Sequence, residues 1–169
     1  MRRKDREMPR DFAERVIDTC VFAVLATVNL DGTPYCVPLS IVREGEWIYF
    51  HGAREGRKIE NLKAMNRVCL SCVGKTGIPE RKFTVEYESA VVCGTVQEVL
   101  EDTEKIHGLR LLCLRHTPNN MQAFDDALSR HLRVTGVWKV HIDELTGKRH
   151  RLDKTGEVPQ YPQGEIPEF

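Results

Sequence analysis

CVFAVLATVNLDGTPYCVPLSIV, residues 20–42, decides how the rest of the chain is read. Its first nine residues form a near-continuous apolar run rich in β-branched side chains, the composition of a strand. NLDGTP follows with the Asp-Gly signal of a tight hairpin, so YCVPLSIV (35–42) is expected to return as an antiparallel partner. Pro38 interrupts that second run and cannot donate a ladder hydrogen bond. An edge position, a bulge, or a ligand beside the backbone is therefore expected there.

On the N-terminal side, DFAERVID (11–18) sets Phe12 with Val16 and Ala13 with Ile17 at helical spacing, which predicts a short amphipathic helix. On the C-terminal side, REGE makes a turn and WIYFH (47–51) a third strand, so the three strands read as a meander. KIENLKAMN (58–66) has the period of a helix, VCLSCV (68–73) that of a strand, and GKTGIPERK reads as a loop. FTVEYESAVVCGTVQEVL (83–100) is a long strand with a bend or bulge expected at Gly94.

Asp102 or Thr103 can cap a helix running to about Arg115, with Ile106, Leu109 and Leu112 or Cys113 on its buried face. A second helix is expected over 118–132, with Pro118 near its start, and a last strand over TGVWKVHID (135–143). From Leu145 the chain turns basic, then Pro- and Gly-rich, and reads as a non-regular tail pinned, if at all, by Tyr161 and Phe169. Six strands joined largely by hairpins, with a few helices among them, imply a mostly antiparallel barrel.

Lys plus Arg and Asp plus Glu each number 25, so the formal charge is zero and no bulk attraction to nucleic acid or an anionic membrane is implied. Any anion site must be local. No apolar run reaches the roughly 18 to 20 residues of a membrane span. The leader MRRKDREMPRDF lacks a signal peptide's apolar stretch, so a cytoplasmic location is expected. The six cysteines sit in strand-like or helix-like segments and read as reduced, small core residues.

Several short motifs fail on spacing. VGKT (73–76) lacks the earlier glycine of a Walker loop, since Cys69 stands there. Cys69-Leu-Ser-Cys72 has no second pair at zinc-site spacing, and in a strand its thiols point to opposite faces. The six histidines form no ligand grouping, and no metal is expected. KRHR (148–151), without interleaved aromatics, reads as a solvated turn. Neither G-x-S-x-G nor G-x-G-x-x-G occurs, which leaves the chemistry to a cofactor held by other means.

His51-Gly52-Ala53-Arg54-Glu55-Gly56-Arg57-Lys58 is the segment suited to holding one. A strand end, two glycines and a helix start bring backbone N–H groups and a positive dipole end toward an anion. Arg57 adds a planar donor fork and Lys58 a mobile point charge, a pairing that suits a terminal phosphate dianion. Spacing alone leaves equally open an exposed helix start whose charges serve solubility.

The order LATVNLDGTPYCVPLSIV, WIYFHGAREGRKIENLKAMNRVCLSCV, YESAVVCGTVQEVLEDTEK resembles the pyridoxamine-phosphate-oxidase-like FMN-binding split barrels. Within them it is most similar to the nitroimidazole-resistance flavoproteins, through Arg2-Arg3-Lys4-Asp5-Arg6, Pro34-Tyr35-Cys36-Val37-Pro38, and Tyr49-Phe50-His51 with Gly56 and Lys58. The likeness covers about residues 1–148, the expected FMN-binding domain, and leaves 149–169 as a Pro-rich tail.

That resemblance implies a six-stranded antiparallel split β-barrel with peripheral helices, a homodimer, and one FMN in each of two grooves at the subunit interface. Arg57 and Lys58 would reach the FMN phosphate. The backbone of Val37, Pro38, Leu39, Ser40 and Ile41 would run along the isoalloxazine edge. His51, Gly52, Ala53 and Gly56 would lie beside the cofactor, Ser89 would donate to the phosphate, and Trp138 would help close the interface. The implied activity is electron transfer from a reductant to a small organic acceptor such as a nitroaromatic compound, with His51 as candidate proton donor. A non-catalytic flavin carrier or sensor, or the same barrel holding haem or a deazaflavin, are the alternatives. Conversion of pyridoxine phosphates is not implied, because GEIPEF lacks the basic C-terminal residues for a substrate phosphate.

Overall fold

The structure, a computed structural model, describes residues 2–152 of the 169-residue chain. The proposed anchors Tyr161 and Phe169, and nearly all of the 149–169 tail, lie outside the described residues.

Strand β1 (Glu7–Met8) leads into helix α1 (Arg10–Thr19), followed by β2 (Ala23–Val28), β3 (Pro34–Leu39), β4 (Val42–Glu44) and β5 (Trp47–Ala53). Helix α2 (Arg57–Ala64) connects to β6 (Arg67–Gly77) and β7 (Glu86–Glu98). Helix α3 (Asp102–His116), a 3₁₀ segment (Pro118–Ala123) and α4 (Phe124–His131) precede β8 (Thr135–His150).

All eight strands belong to one antiparallel sheet ordered β3-β2-β6-β7-β8-β5-β4, with β1 added on β8. The two ends of that order, β3 and β4, are separated in sequence only by Ser40 and Ile41. The three steps from Leu39 to Val42 span at most about 11 Å, so the sheet must curl until its ends meet. No ladder joins them among the described strand pairs, and the barrel is split there.

The 20–42 hairpin forms as read. Gly32 takes φ 83°, and Thr33 and Asn29 close the turn through Asn29 N–H to Thr33 O at 2.8 Å. Pro38 lies on the edge strand β3, where no neighbour needs its missing N–H. The meander does not form. β5 pairs with β4 and β8 instead of β3, because the Ser40–Ile41 link carries the chain across the split. That break in YCVPLSIV, together with β1, raises the expected six strands to eight.

Three further boundaries move. β6 continues through Gly77 by way of a register shift between Val73 and Thr76, so the expected loop begins only after GKTG. β8 continues to His150, and the supposed solvated turn KRHR is paired to β7, with Arg149 and His150 buried. Gly147 permits this, since a Cβ there would stand 3.1 Å from Ala13 Cβ and 3.3 Å from Met8 Cβ. The 118–132 helix divides, because Asn120 has non-helical angles (φ −113°, ψ 15°). As expected, β7 is irregular at Gly94, with a register shift between Cys93 and Gly94.

Helix α1 fills the barrel, burying Phe12, Ala13, Val16 and Ile17 against Leu25, Phe50, Leu70 and Val92. A second, smaller cluster of Val42, Tyr49, Val99, Leu112 and Val137 lies beneath α3 on the outer side of β5. The buried face of α3 is Lys105, Gly108 and the expected Leu112, with the expected Leu109 half-buried against the same cluster and Ile106 half-buried. Gly108 is drawn in because its missing side chain leaves room for Tyr49, whose Cδ1 would be 2.9 Å from a Cβ there. Of the cysteines, Cys20 and Cys72 are core residues, while Cys36 is exposed on the edge strand; all six are free thiols.

Candidate functional site

The end of β5 and the start of α2 are joined by Arg54, Glu55 and Gly56. Gly56 has φ 100°, a left-handed conformation suited to glycine, and its carbonyl accepts from the N–H of Ile59 at 2.8 Å and of Glu60 at 3.1 Å. Arg57 and Lys58 thus occupy the first turn of α2, and their own N–H groups, ahead of that of Ile59, have no partner within the helix.

The two cations turn to different neighbours. Arg57 is exposed, with its guanidinium 5.4 Å from the ring centroid of Tyr35 on β3. One turn on, buried Asn61 donates to Thr27 Oγ1 at 3.0 Å and Asn29 Oδ1 at 2.9 Å, clasping α2 to the root of the hairpin. Lys58 is half-buried. Its Nζ lies 5.6 Å from the Phe50 ring centroid and so close over Gly52 that a Cβ there would stand 2.7 Å from it. Among the described ion pairs none gives Lys58 a carboxylate, and burial lowers its pKa.

Beside this ammonium, His51 stands at the rim of β5. Desolvation lowers its pKa first, then the proximity of Lys58 and of His116. The imidazole is therefore neutral at pH 7, and a proton-donor role at that pH would require an anion nearby to raise its pKa again. His116 ends α3, and its Nε2 lies 2.8 Å from the carbonyl of Ile41. A carbonyl only accepts, so Nε2 carries the proton. This bond ties α3 to the Ser40–Ile41 link.

The rim thus gathers the Ser40–Ile41 link, His51, Gly52, Ala53, Gly56, Arg57 and Lys58. Val37 and Leu39 pack inward against the core, and Pro38 alternates outward. Ser89 pairs with Val73 and Lys148, and its neighbour Ala90 lies in the row Cys72, Ala23, Leu39 that ends beside the Ser40–Ile41 link. Trp138 is paired to Phe50, next to His51. Trp138 is only 3% exposed within the single chain and so offers a partner subunit almost no surface. Tyr35, Phe50, Asn61 and His116 were not singled out from the sequence. Of these only Tyr35 and Phe50 carried a signal, through the Pro-Tyr and Tyr-Phe-His runs.

Cavities of about 360 and 210 Å³ lie toward the Gly77 end of β6, lined by Arg15, Cys20 and Val73 in the first and by Lys75, Tyr87 and Arg149 in the second. Among the described residues no helix is long and apolar enough to cross a membrane, and no group of three or more metal-ligating side chains occurs.

A curled antiparallel sheet split between β3 and β4 is the split-barrel architecture. The chain belongs to the pyridoxamine 5'-phosphate oxidase family, whose sequence pattern matches residues 9–149. Among solved structures it is similar to a candidate 5-nitroimidazole antibiotic resistance protein from Bacteroides thetaiotaomicron VPI-5482. The two share 27% identity and a TM-score of 0.70, over 83% of this chain and 84% of that one. The fold is also shared with a flavocytochrome from Azotobacter vinelandii (18% identity, TM-score 0.74, 95% and 81% of the two chains). An FAD and haem binding protein from Mycobacterium smegmatis has it too (22%, 0.75, 86% and 73%). No protein of curated function matches the sequence.

Proposed function

We propose that the protein is a homodimeric FMN flavoprotein that passes electrons to a small organic acceptor such as a nitroaromatic compound. The observation that carries this reading is Lys58, a half-buried ammonium without a carboxylate partner among the described ion pairs, held over a glycine at a helix start beside Arg57. Burying part of a charge without a partner is costly, and a phosphate dianion would offset that cost. The residues fit the group. Arg57, Lys58 and the first N–H groups of α2 would hold its phosphate, and the backbone of residues 37–41 would face its ring. Bound flavin supplies two-electron redox chemistry. The chain's part is to bind and orient it, with neutral His51 donating a hydrogen bond and becoming a proton donor once the phosphate raises its pKa.

A second copy of the chain is supported by the outer face of β3, β2, β6 and β7. Two rows cross it without a charge before β8: Pro38, Val24, Ser71, Val91, and Cys36, Ala26, Cys69, Cys93. Val28, Val73 and Val91 are exposed there.

The visible spectrum of the purified protein tests the cofactor, and sedimentation tests for twice the 19.4 kDa chain mass. A flavin spectrum that NADH or NADPH bleaches anaerobically, and that a nitro compound restores, is the expected result. A flavin that no donor reduces would assign a carrier or sensor. A haem band would move the reading to the chemistry for which the flavocytochrome and the FAD and haem binding protein are named, with exposed His51 as the imidazole available to iron. A protein that stays colourless in excess FMN would end it.

A further inference from the structure

We propose that the 210 Å³ cavity at the Gly77 end of β6 is a second ligand site, which takes the oxyanion group of a small molecule, phosphate or carboxylate, with the imidazole of His150 as its hydrogen-bonding anchor. The β7–β8 ladder sets the side chains out in two rows. Gly147 and Arg149 share the inner face with their partners Ala90 and Glu88, while Lys148 and His150 share the outer face with Ser89 and Tyr87. An outward side chain near a strand end is ordinarily wet. His150 is instead only 4% exposed. Its ring lies against that of Tyr87, with centroids 6.0 Å apart and planes 17° from parallel, and Lys148 Nζ stands 5.6 Å from the same Tyr87 centroid.

Burial in that stack leaves the imidazole incomplete. Its Nδ1 is shut off from solvent, and no group among the described residues shares a hydrogen bond with it. A buried polar atom in that condition is destabilising until a ligand or an ordered water completes it. The space beside it exceeds what one water needs. At about 30 Å³ for each water in the liquid, the cavity that His150 lines has room for roughly seven, enough for an oxyanion and a compact organic body.

Charge selects the ligand. Lys75, Arg149 and Arg151 line the cavity together with Glu86 and Glu88, three cations against two carboxylates. Glu86 Oε1 already accepts from the N–H of Leu152 at 2.7 Å, and Glu88 stands across the ladder from Arg149. Lys148, beside Tyr87, adds to the cationic excess. So do Arg6 and Arg3 from the leader. After desolvation they are the groups that lower the His150 pKa, against the opposing pull of Glu86 and Asp5. The imidazole is therefore neutral at pH 7 and has one N–H to give. An oxyanion at Nδ1 draws the proton to that nitrogen and accepts from it. None of this depends on the flavin reading, since neither Arg57 nor Lys58 lines the cavity.

The test titrates inorganic phosphate, and separately acetate, into the full chain at pH 7 and constant ionic strength, following the ring signals of the six histidines by NMR. It is run on the wild type and on Arg57→Ala with Lys58→Ala, in which the rim has lost its cations. A saturable shift of the His150 signal in both proteins is expected, and the anion that binds more tightly names the head group. His150→Phe keeps a ring against Tyr87 and removes the donor, so it should weaken that anion about tenfold in calorimetry. Should the variant fail to fold, the through-space contact between the His150 and Tyr87 rings assigns the signal and the titration still decides. A His150 signal that ignores both anions overturns the proposal. So does a shift that all six histidines share without saturation, or one that vanishes with Arg57 and Lys58, which would put the anion at the rim.

Discussion

Removing both cations at the start of α2, Arg57→Ala with Lys58→Ala, separates phosphate recognition from everything else the groove does. A hydrogen bond to a charged group contributes about 1.5–3 kcal/mol. Arg57 is exposed and already stacked on Tyr35, so its share falls to about 1 kcal/mol. Lys58, half-buried over Gly52, retains about 2 kcal/mol. The sum, about 3 kcal/mol, is roughly two orders of magnitude in Kd. Riboflavin has the same ring without the phosphate, and quenching of flavin fluorescence reads both ligands. The wild-type protein is expected to prefer FMN over riboflavin by about a hundredfold, and the double variant to bind both alike, near the wild-type riboflavin value. Its melting temperature should hold, since neither side chain has a carboxylate partner among the described ion pairs. A double variant that keeps the wild-type FMN preference would refute the reasoning. The phosphate would then belong elsewhere, with the cavity of Lys75, Arg149 and Arg151 next to be tried.

Three other outcomes follow from single positions. His51 has its pKa lowered from 6.5, so the unfolded chain binds its proton first as pH falls. Stability from this residue is full above pH 6.5 and is lost as pH drops toward the folded pKa, and His51→Gln should flatten the acid side of a denaturation profile. NMR titration of the His51 ring should show that pKa rising when FMN is added, and an unchanged value would remove His51 from the site. Gly52→Ala places a Cβ against Lys58 Nζ, the free end of a flexible side chain, so stability should change by no more than about 0.5 kcal/mol. The displaced ammonium should nonetheless cost about tenfold in FMN affinity in the same quenching titration. Gly94→Ala sets a Cβ against the backbone carbonyl of His141 and 2.6 Å from Val140 Cγ1, and neither can swing aside. A loss of about 3 kcal/mol in urea denaturation is expected there, and a neutral result would show that the β7 irregularity relaxes.

Local patterning made the individual elements legible, and chain crossings hid their arrangement. The hairpin at Asp31-Gly32, the helix through Phe12 and Val16, and the irregularity at Gly94 each depend on residues within a turn or two of one another. Strand order does not. Nothing in YCVPLSIV marks Leu39 as the end of one sheet edge and Val42 as the start of the other. Ser40 and Ile41 are ordinary strand residues, and only closure of the curl around α1 forces the break between them. Lys148 to Arg151 misled for a related reason. A run of four basic residues reads as solvated, yet pairing with β7 and the close approach of Gly147 to α1 carried Arg149 and His150 inside.

At the rim the same division holds with more consequence. Arg57 and Lys58 stood out because two cations after a glycine at a helix start have a local physical meaning. What distinguishes them in the folded chain is tertiary. Gly52 matters because Lys58 occupies the space of its absent side chain. His116 matters because α3, far along the chain, ends against the carbonyl of Ile41. The next residue back, Arg115, turns the other way to the end of α1 and to Cys20. One helix end is thus fixed by two hydrogen-bonding side chains, one serving the split and the other the end of α1. A helix held by only one of them could pivot about it. Held by both, α3 fixes how far His116 stands from His51, and so how strongly it depresses that imidazole's pKa.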